Sequence, residues 1–190
     1  MQILKDRIIN DGRILEGNIL KVDNFLNHQL DVNLFNEMGK EFKERFNNKE
    51  ITKILTVEVS GIAIACIAAQ YFNVPVVFAK KHAGVNMDSD SYESEVFSYT
   101  KGIQYKVKVA KRYINSEDKI LVIDDFLASG SAMQSLINIA KQAGAEIVGA
   151  GIVIEKAFQE GRRVLEKQGI QVESLAIIES MTAGKIKFLE

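Results

Sequence analysis

The sequence contains one cysteine, one proline and no tryptophan. A single thiol excludes an internal disulfide, and the two histidines, His28 and His82, stand too far apart to suggest a zinc site. Cys66 lies in the apolar segment GIAIACIAAQYF, which predicts a buried and unreactive thiol. We therefore expect neither a disulfide scaffold nor a transition-metal centre.

The sequence also lacks an excess of charge of either sign. Lysine and arginine total 24, and aspartate and glutamate total 25, so no overall electrostatic attraction to nucleic acid is expected. No apolar run reaches the roughly 18 residues of a membrane-spanning helix, and the opening MQILKDRIIND has no signal-peptide pattern. These features predict a cytoplasmic protein with no membrane or nucleic-acid partner, folded as a single domain over residues 1–190.

Three common motifs of nucleotide-binding and hydrolytic proteins are absent. The sequence has no Gly-x-x-x-x-Gly-Lys-Ser/Thr, no Gly-x-Gly-x-x-Gly and no Gly-x-Ser-x-Gly. The sequence therefore contains no motif that indicates a P-loop, dinucleotide-binding or serine-hydrolase function.

Strand-like and helix-like segments alternate along the chain. Strand patterns occur in KILTVEV, VPVVFAK, KILVID and EIVGAGIVIEK, and helical patterns in VNLFNEMGKEFKERFNN, GIAIACIAAQYF and GSAMQSLINIAKQAG. Asp31 is placed to cap the first of these helices. The alternation predicts an α/β fold with a mostly parallel twisted sheet flanked by helices. The first 30 residues are predicted to be irregular after a short helix. The segment between the second and third strands predicts a polar loop followed by an antiparallel ribbon.

Small and charged residues follow each predicted strand. Ligands of open α/β sheets bind at this carboxyl edge of the strands, so we expect these residues to meet in one cleft. They are Glu58, Val59, Ser60 and Gly61; Lys80, Lys81 and His82; Asp124, Asp125 and the turn Ala128, Ser129, Gly130, Ser131 and Ala132; and Glu155, Lys156 and Ala157.

The segment KILVIDDFLASGSAMQSL contains the most specific chemistry. Carboxylates of Asp124 and Asp125 about 5 Å apart repel by about 3 kcal/mol at an effective dielectric near 20, which hydroxyl donors or a divalent cation would relieve. The small residues from Ala128 to Ala132 lead into a helix and expose backbone N–H groups that suit a phosphate. Taken singly, each part also fits a solvated strand end or a plain helix cap. Together they indicate a sugar-phosphate site.

The sequence LVIDDFLASGSAM closely resembles the phosphoribosyl-pyrophosphate signature of the type I phosphoribosyltransferases, an aliphatic run followed by two acids and a small Thr/Ser-Gly loop. The resemblance covers nearly the whole chain and implies a hood over residues 1–30 and a mobile loop over residues 82–103. Within the family, LKDRIINDGRILEGNILKVDNFLNHQLD and VVFAKKHAG resemble the bacterial branch that uses xanthine in purine salvage. The implied reaction converts xanthine and 5-phosphoribosyl 1-pyrophosphate (PRPP) to xanthosine 5′-monophosphate and pyrophosphate. The resemblance also implies Mg²⁺, bound mainly through PRPP rather than by protein ligands, and a homodimer.

The resemblance also implies roles for individual residues. Asp124 and Asp125 would hold the ribose hydroxyls as the catalytic pair. Lys156 would donate to a ring oxygen, which suits an oxopurine better than adenine, whose 6-amino group is itself a donor. Leu20 would pack on the base and Asn27 would bind a second oxygen. PRPP would be bound by Ala128, Ser129, Gly130, Ser131 and Ala132, by Val59, Ser60 and Gly61, and by Lys80 or Lys81.

Other interpretations stay open from the residues alone. Asn27 also fits a turn residue, and Lys156, Lys80 and Lys81 also fit solvated surface lysines. An adenine or hypoxanthine/guanine phosphoribosyltransferase is the alternative enzyme. A non-catalytic regulator that senses PRPP is the alternative of another class, although the first 30 residues have no basic excess for binding DNA.

Overall fold

The computed structural model describes residues 1–16, 19–81, 90–98, 102–182 and 184–189. Five α-helices and ten strands are described in these ranges. In chain order they are α1 (Gln2–Asp11), β1 (Arg13–Leu15), β2 (Ile19–Lys21), α2 (Val32–Arg45), β3 (Lys53–Val57), α3 (Ser60–Phe72), β4 (Val76–Ala79), β5 (Ser91–Ser98), β6 (Ile103–Ala110), β7 (Lys119–Leu127), α4 (Ser131–Gln142), β8 (Glu146–Lys156), α5 (Gly161–Glu166), β9 (Val172–Thr182) and β10 (Lys185–Phe188).

Six strands form the central sheet in the order β10-β9-β8-β7-β3-β4. The strands from β9 to β4 pair in parallel, and β10 is antiparallel to β9 at the edge. The predicted α/β fold with a mostly parallel sheet is thus confirmed.

Helices cover both faces of the sheet. In β7, Leu121 and Ile123 belong to one buried cluster, with α2 and α3, whereas Ile120 and Val122 belong to the other, with α4. Because both faces are covered, β7 is a continuous aliphatic run rather than an alternating one. Asp31 caps α2 as predicted, and its Oδ1 accepts the N–H of Leu34 at 3.1 Å.

The hood (residues 1–30) has more regular structure than the sequence indicates. The antiparallel hairpin β1–β2 follows α1, and residues 23–27 form a π-helical turn. The interpretation as irregular is wrong because strands of three residues are too short to show a period. In β2 only Leu20 is buried, between the exposed Ile19 and Lys21.

Two further expectations require correction. The strand predicted over KILVID continues to Leu127, because β7 stays paired with β8 through Leu127 and Glu155. Asp125, which was expected to follow the strand, therefore lies inside β7 together with Asp124. Cys66 is exposed, since the buried face of α3 is formed by Gly61, Ile64, Ala65, Ala68 and Ala69.

The predicted antiparallel ribbon is confirmed as β5–β6, which pair from Ser91 with Ala110 to Ser98 with Ile103. The ribbon lies against α4, where Nε2 of Gln142 donates to the carbonyl oxygen of Glu93 at 2.9 Å. The Glu93 carboxylate in turn pairs with Lys108 at 3.1 Å.

Two parts of the predicted mobile loop lie outside the described residues, namely residues 82–89, which include His82, and residues 99–101. No helix in the described ranges is long and apolar enough to cross a membrane.

Candidate active site

Three strands that are neighbours in the sheet, β8, β7 and β3, end at one edge and bring their following residues together. A Cβ built on Gly61, after β3, would lie 3.2 Å from Oδ1 of Asp124 on β7. At the end of β7, Leu127 pairs with Glu155 of β8. The predicted convergence of these strand ends is therefore present.

Asp124 is almost completely buried in this cleft, with 5% of its surface exposed. Its Oδ1 accepts the N–H of Asp125 at 3.0 Å. Burial raises the pKa of Asp124 well above its ordinary value, and the neighbouring charge of Asp125 adds to the effect, while Lys81 opposes it. A carboxyl group in this setting is stabilised by a hydroxyl donor or a cation.

Asp125 joins the sheet to the hood. Its Oδ2 accepts a hydrogen bond from Nδ2 of Asn27 at 3.0 Å, although the two residues are 98 positions apart. The other oxygen, Oδ1, accepts the N–H of Phe126 at 3.0 Å. The residue expected to bind the base thus touches a residue expected to bind the ribose.

The turn after β7, residues 128–132, is called the phosphate turn below. Gly130 has φ of 85° and precedes the first residue of α4, Ser131. Glycine adopts this left-handed conformation without strain. The turn therefore stands at the N-terminus of a 12-residue helix, where unpaired N–H groups and the helix dipole favour an anion. The Oγ of Ser131 also accepts the N–H of Phe97 at 3.1 Å, which connects the ribbon to the turn.

The turn after β3 leads into α3, with Val59 before the first helical residue, Ser60. Val59 is 75% exposed. A Cβ at Gly61 would lie 2.1 Å from Oγ1 of Thr56, so a side chain there would displace the turn. Oε1 of Glu58 accepts the N–H of Lys81 at 2.6 Å and ties this turn to the end of β4.

The structure distinguishes between the two candidate lysines. Lys80 is exposed, and its backbone pairs with that of Lys108 at 3.0 and 2.9 Å. The Nζ of Lys81 lies 5.6 Å from the ring centroid of Tyr105 on β6, and its charge acts on Asp124. Lys81 is therefore the lysine associated with the acid pair.

Tyr105 lies near Lys81 and Asp124 and is a further candidate site residue that sequence reasoning missed. Burial raises its pKa, and the charge of Asp124 contributes. Tyr105 alternates with Val107 and Val109, which are buried, and this spacing in the sequence indicates that Tyr105 lies on the inner face of β6.

Lys156 is the last residue of β8 and is half-buried, and its Nζ lies 5.9 Å from the ring centroid of Phe126. Burial lowers the pKa of Lys156. Asn27 and Lys156 thus contact two successive residues of β7, Asp125 and Phe126. Leu20, the third predicted base-binding residue, is buried with only 6% of its surface exposed.

Glu155 does not contribute a charge to the cleft as the sequence suggests. It is 1% exposed, and both of its oxygens accept bonds from Arg162, at 2.8 and 2.7 Å. Oε2 of Glu155 also accepts the Ser174 hydroxyl at 2.5 Å. Side chains alternate along a strand, so Glu155 and Lys156 serve opposite faces of β8.

Solved structures with the same fold include adenine phosphoribosyltransferases. That of Giardia lamblia, complexed with 9-deazaadenine, is 19% identical, with a TM-score of 0.77, and the alignment covers 93% of this chain and 98% of that one. That of Trypanosoma brucei is 17% identical, with a TM-score of 0.76, and the alignment covers 92% and 78%. The fold is that of the type I phosphoribosyltransferases.

Sequence relatives agree with the fold. Residues 21–180 match the phosphoribosyl transferase domain. The chain is 65% identical over 188 residues to a xanthine phosphoribosyltransferase of Clostridium novyi, which covers 99% of both chains. It is 60% identical over 190 residues to one of Ruminiclostridium cellulolyticum, which covers 100% of both. The chain belongs to the phosphoribosyltransferase family.

Proposed function

We propose that this transferase moves the 5-phosphoribosyl group of PRPP to xanthine, forming xanthosine 5′-monophosphate and pyrophosphate for purine salvage. The observation that carries the proposal is the adjacency of the two ends of the site. Asn27 is hydrogen-bonded to Asp125 of β7, and Nζ of Lys156 lies 5.9 Å from the ring centroid of Phe126, two residues before the phosphate turn. The near full-length relatives named above support xanthine as the base.

The phosphate turn binds the 5-phosphate in this proposal. Ala128, Ser129, Gly130, Ser131 and Ala132 supply backbone N–H groups and hydroxyls at the start of α4. Charge-assisted hydrogen bonds of this kind contribute roughly 1.5–3 kcal/mol each. Asp124 and Asp125 bind the ribose hydroxyls. The raised pKa of Asp124 fits a buried carboxyl group that gains hydrogen bonds when the ligand binds.

Pyrophosphate lies against the turn after β3, with Val59, Ser60 and Gly61 presenting backbone amides. Lys81 adds positive charge there and has more support than Lys80, because Lys81 lies beside Tyr105 and acts on Asp124. The described residues hold no cluster of three or more His, Cys, Asp or Glu side chains. In this proposal Mg²⁺ is held mainly by PRPP, in keeping with the few carboxylates that Mg²⁺ takes from proteins. When bound, Mg²⁺ neutralises charge on the departing pyrophosphate.

Base selection depends on donors. The ammonium group of Lys156 donates to a carbonyl oxygen of xanthine. Adenine has an amino group in place of the 6-oxygen, and this group is itself a donor. Asn27 binds a second oxygen, and Leu20 packs on the ring from the hood. Nδ2 of Asn27 has two N–H donors, so it can donate to the base while it keeps its hydrogen bond to Asp125.

The chemistry requires placement rather than a protein nucleophile. Positive charge develops on the sugar and negative charge on the leaving group, so the residues act by orientation and electrostatics. The ribbon and the mobile loop proposed over residues 82–103 exclude water from the activated sugar.

The experiment is nucleotide formation by the purified protein with Mg²⁺, PRPP and, separately, xanthine, guanine, hypoxanthine or adenine. We expect efficient product from xanthine and loss of activity when the metal is chelated. Binding of PRPP without product from any base would support a regulator instead, and product from adenine alone would contradict the role of Lys156.

We further propose a cytoplasmic homodimer, for which light scattering should give twice the mass of the 21.2 kDa chain.

A further inference from the structure

The short helix α5 begins at Gly161, whose backbone lies against the phosphate turn. The N–H of Gly161 donates to the carbonyl oxygen of Ala128 at 2.9 Å. A Cβ built on Gly161 would lie 2.5 Å from that oxygen and 2.7 Å from Cδ1 of Leu127. From the other side, a Cβ built on Gly130 would lie 3.1 Å from Cα of Gly161. The two backbones are in contact, with no room for a side chain at position 161.

This requirement for glycine is one of space and not of backbone conformation. Gly130 needs glycine for its positive φ, but Gly161 is not among the glycines with positive φ. Alanine at position 161 would therefore adopt the same backbone angles without strain and would press directly on Ala128.

Arg162 determines which side must yield to such a methyl group. A helix of six residues is not stable alone, but Arg162 anchors α5 with its two bonds to the buried Glu155 on β8. A further bond runs from Nη1 of Arg162 to the carbonyl oxygen of Val172 at 3.2 Å. Because two-pronged pairs of this kind are geometrically strict, α5 is held and the phosphate turn is the part that moves.

We propose that Gly161 is a positioning residue for the phosphate turn, with Arg162 and Glu155 as its anchor. This inference rests on the proposed binding of the PRPP 5-phosphate at residues 128–132. Gly161 supports the turn from behind, so the N–H groups of Gly130 and Ser131 stay aligned on the phosphate. The base-binding residues Asn27 and Lys156 do not take part in this contact.

The test is Gly161→Ala in the full-length protein. We expect the KM for PRPP to rise about tenfold or more, because this factor corresponds to the loss of one charge-assisted hydrogen bond to the phosphate. The KM for xanthine should stay within about twofold of the wild-type value. Gly149→Ala is the matched control, because its Cβ would lie 2.5 Å from Cε1 of Phe46, near the opposite end of β8. It should lower Tm and leave the KM for PRPP unchanged. An unchanged KM for PRPP in Gly161→Ala, or an equal rise in both variants, would overturn the proposal.

Arg162→Lys provides a second test if Gly161→Ala does not fold. Lysine keeps the charge but cannot form the two-pronged pair, so the KM for PRPP should rise in the same direction by a smaller factor, and no rise would overturn the proposal. The wild-type protein is measured alongside. Failure of the wild type to bind PRPP or form nucleotide contradicts the proposed function, whereas normal turnover by both wild type and Gly161→Ala contradicts only the positioning role.

Discussion

Lys156 is the residue on which base selection depends in the proposed site. Replacing it with alanine should raise the KM for xanthine about ten- to a hundredfold, because a hydrogen bond from a charged donor contributes roughly 1.5–3 kcal/mol. Binding of PRPP, measured by calorimetry without base, should be unchanged. Lys49, an exposed lysine after α2, is the matched control, and Lys49→Ala should behave as wild type. A parallel loss of PRPP binding in Lys156→Ala would contradict a role confined to the base.

Asp124 gives a prediction that depends on pH. The pKa of Asp124 is raised in the folded state. Above the ordinary aspartate pKa, the unfolded chain therefore releases a proton that the folded chain retains. Because the folded chain then binds more protons, its stability falls as the pH rises. Asp124→Asn should therefore raise Tm over the wild type without ligand, by a margin that grows as the pH rises above the ordinary aspartate pKa. The same variant should lose activity. Thermal unfolding at several pH values measures this, and Asp6→Asn, at an exposed site in α1, should show no such growth. A margin that shrinks with pH would contradict the burial argument.

Residues close in sequence are the predictable part of the site. Asp124, Asp125 and the phosphate turn occur within one segment, so their chemistry is recognisable before any fold is known. Asn27 contacts Asp125 across 98 positions, and no local pattern contains that contact, so only the family resemblance implies a role for Asn27. Choosing between Lys80 and Lys81 likewise requires the backbone pairing of Lys80 with Lys108.

At the scale of elements, the ribbon β5–β6 brings Tyr105 to Lys81. An ammonium group near an aromatic ring is stabilised by about 0.5–1 kcal/mol at exposed sites. Tyr105→Leu should therefore raise the KM for PRPP about two- to fivefold, whereas Tyr105→Phe, which keeps the ring, should stay near the wild-type value. Steady-state kinetics with PRPP varied will separate the two. An equal rise in the KM for PRPP in both variants would show that the hydroxyl group of Tyr105, and not its ring, contributes to PRPP binding.

Element boundaries are less predictable than element types. Two adjacent acids look like the end of a strand, yet β7 continues through them because its backbone pairs with β8 as far as Leu127. Asp124 tolerates this burial by keeping its proton more readily, as its raised pKa shows. Position within the sheet therefore overrides the local polarity of these side chains.

For the whole molecule, the alternation of strands and helices predicts the parallel sheet because such crossovers have few alternative packings. Strands β9 and β10 lie outside the predicted elements, since a short run such as LAII fits a buried helix as well as a strand. Helix α5, at six residues, is too short to show a period. The anchor formed by Arg162 and Glu155 is consequently visible only in the folded protein.

The central claim is that this site selects xanthine as the acceptor of the phosphoribosyl group. The most direct test is a single reaction with Mg²⁺, limiting PRPP and equal concentrations of xanthine, guanine, hypoxanthine and adenine, with the four nucleotides separated and quantified at early times. We predict that xanthosine 5′-monophosphate predominates in the wild type and loses its lead in Lys156→Ala. Predominance of any other nucleotide in the wild type would contradict the account.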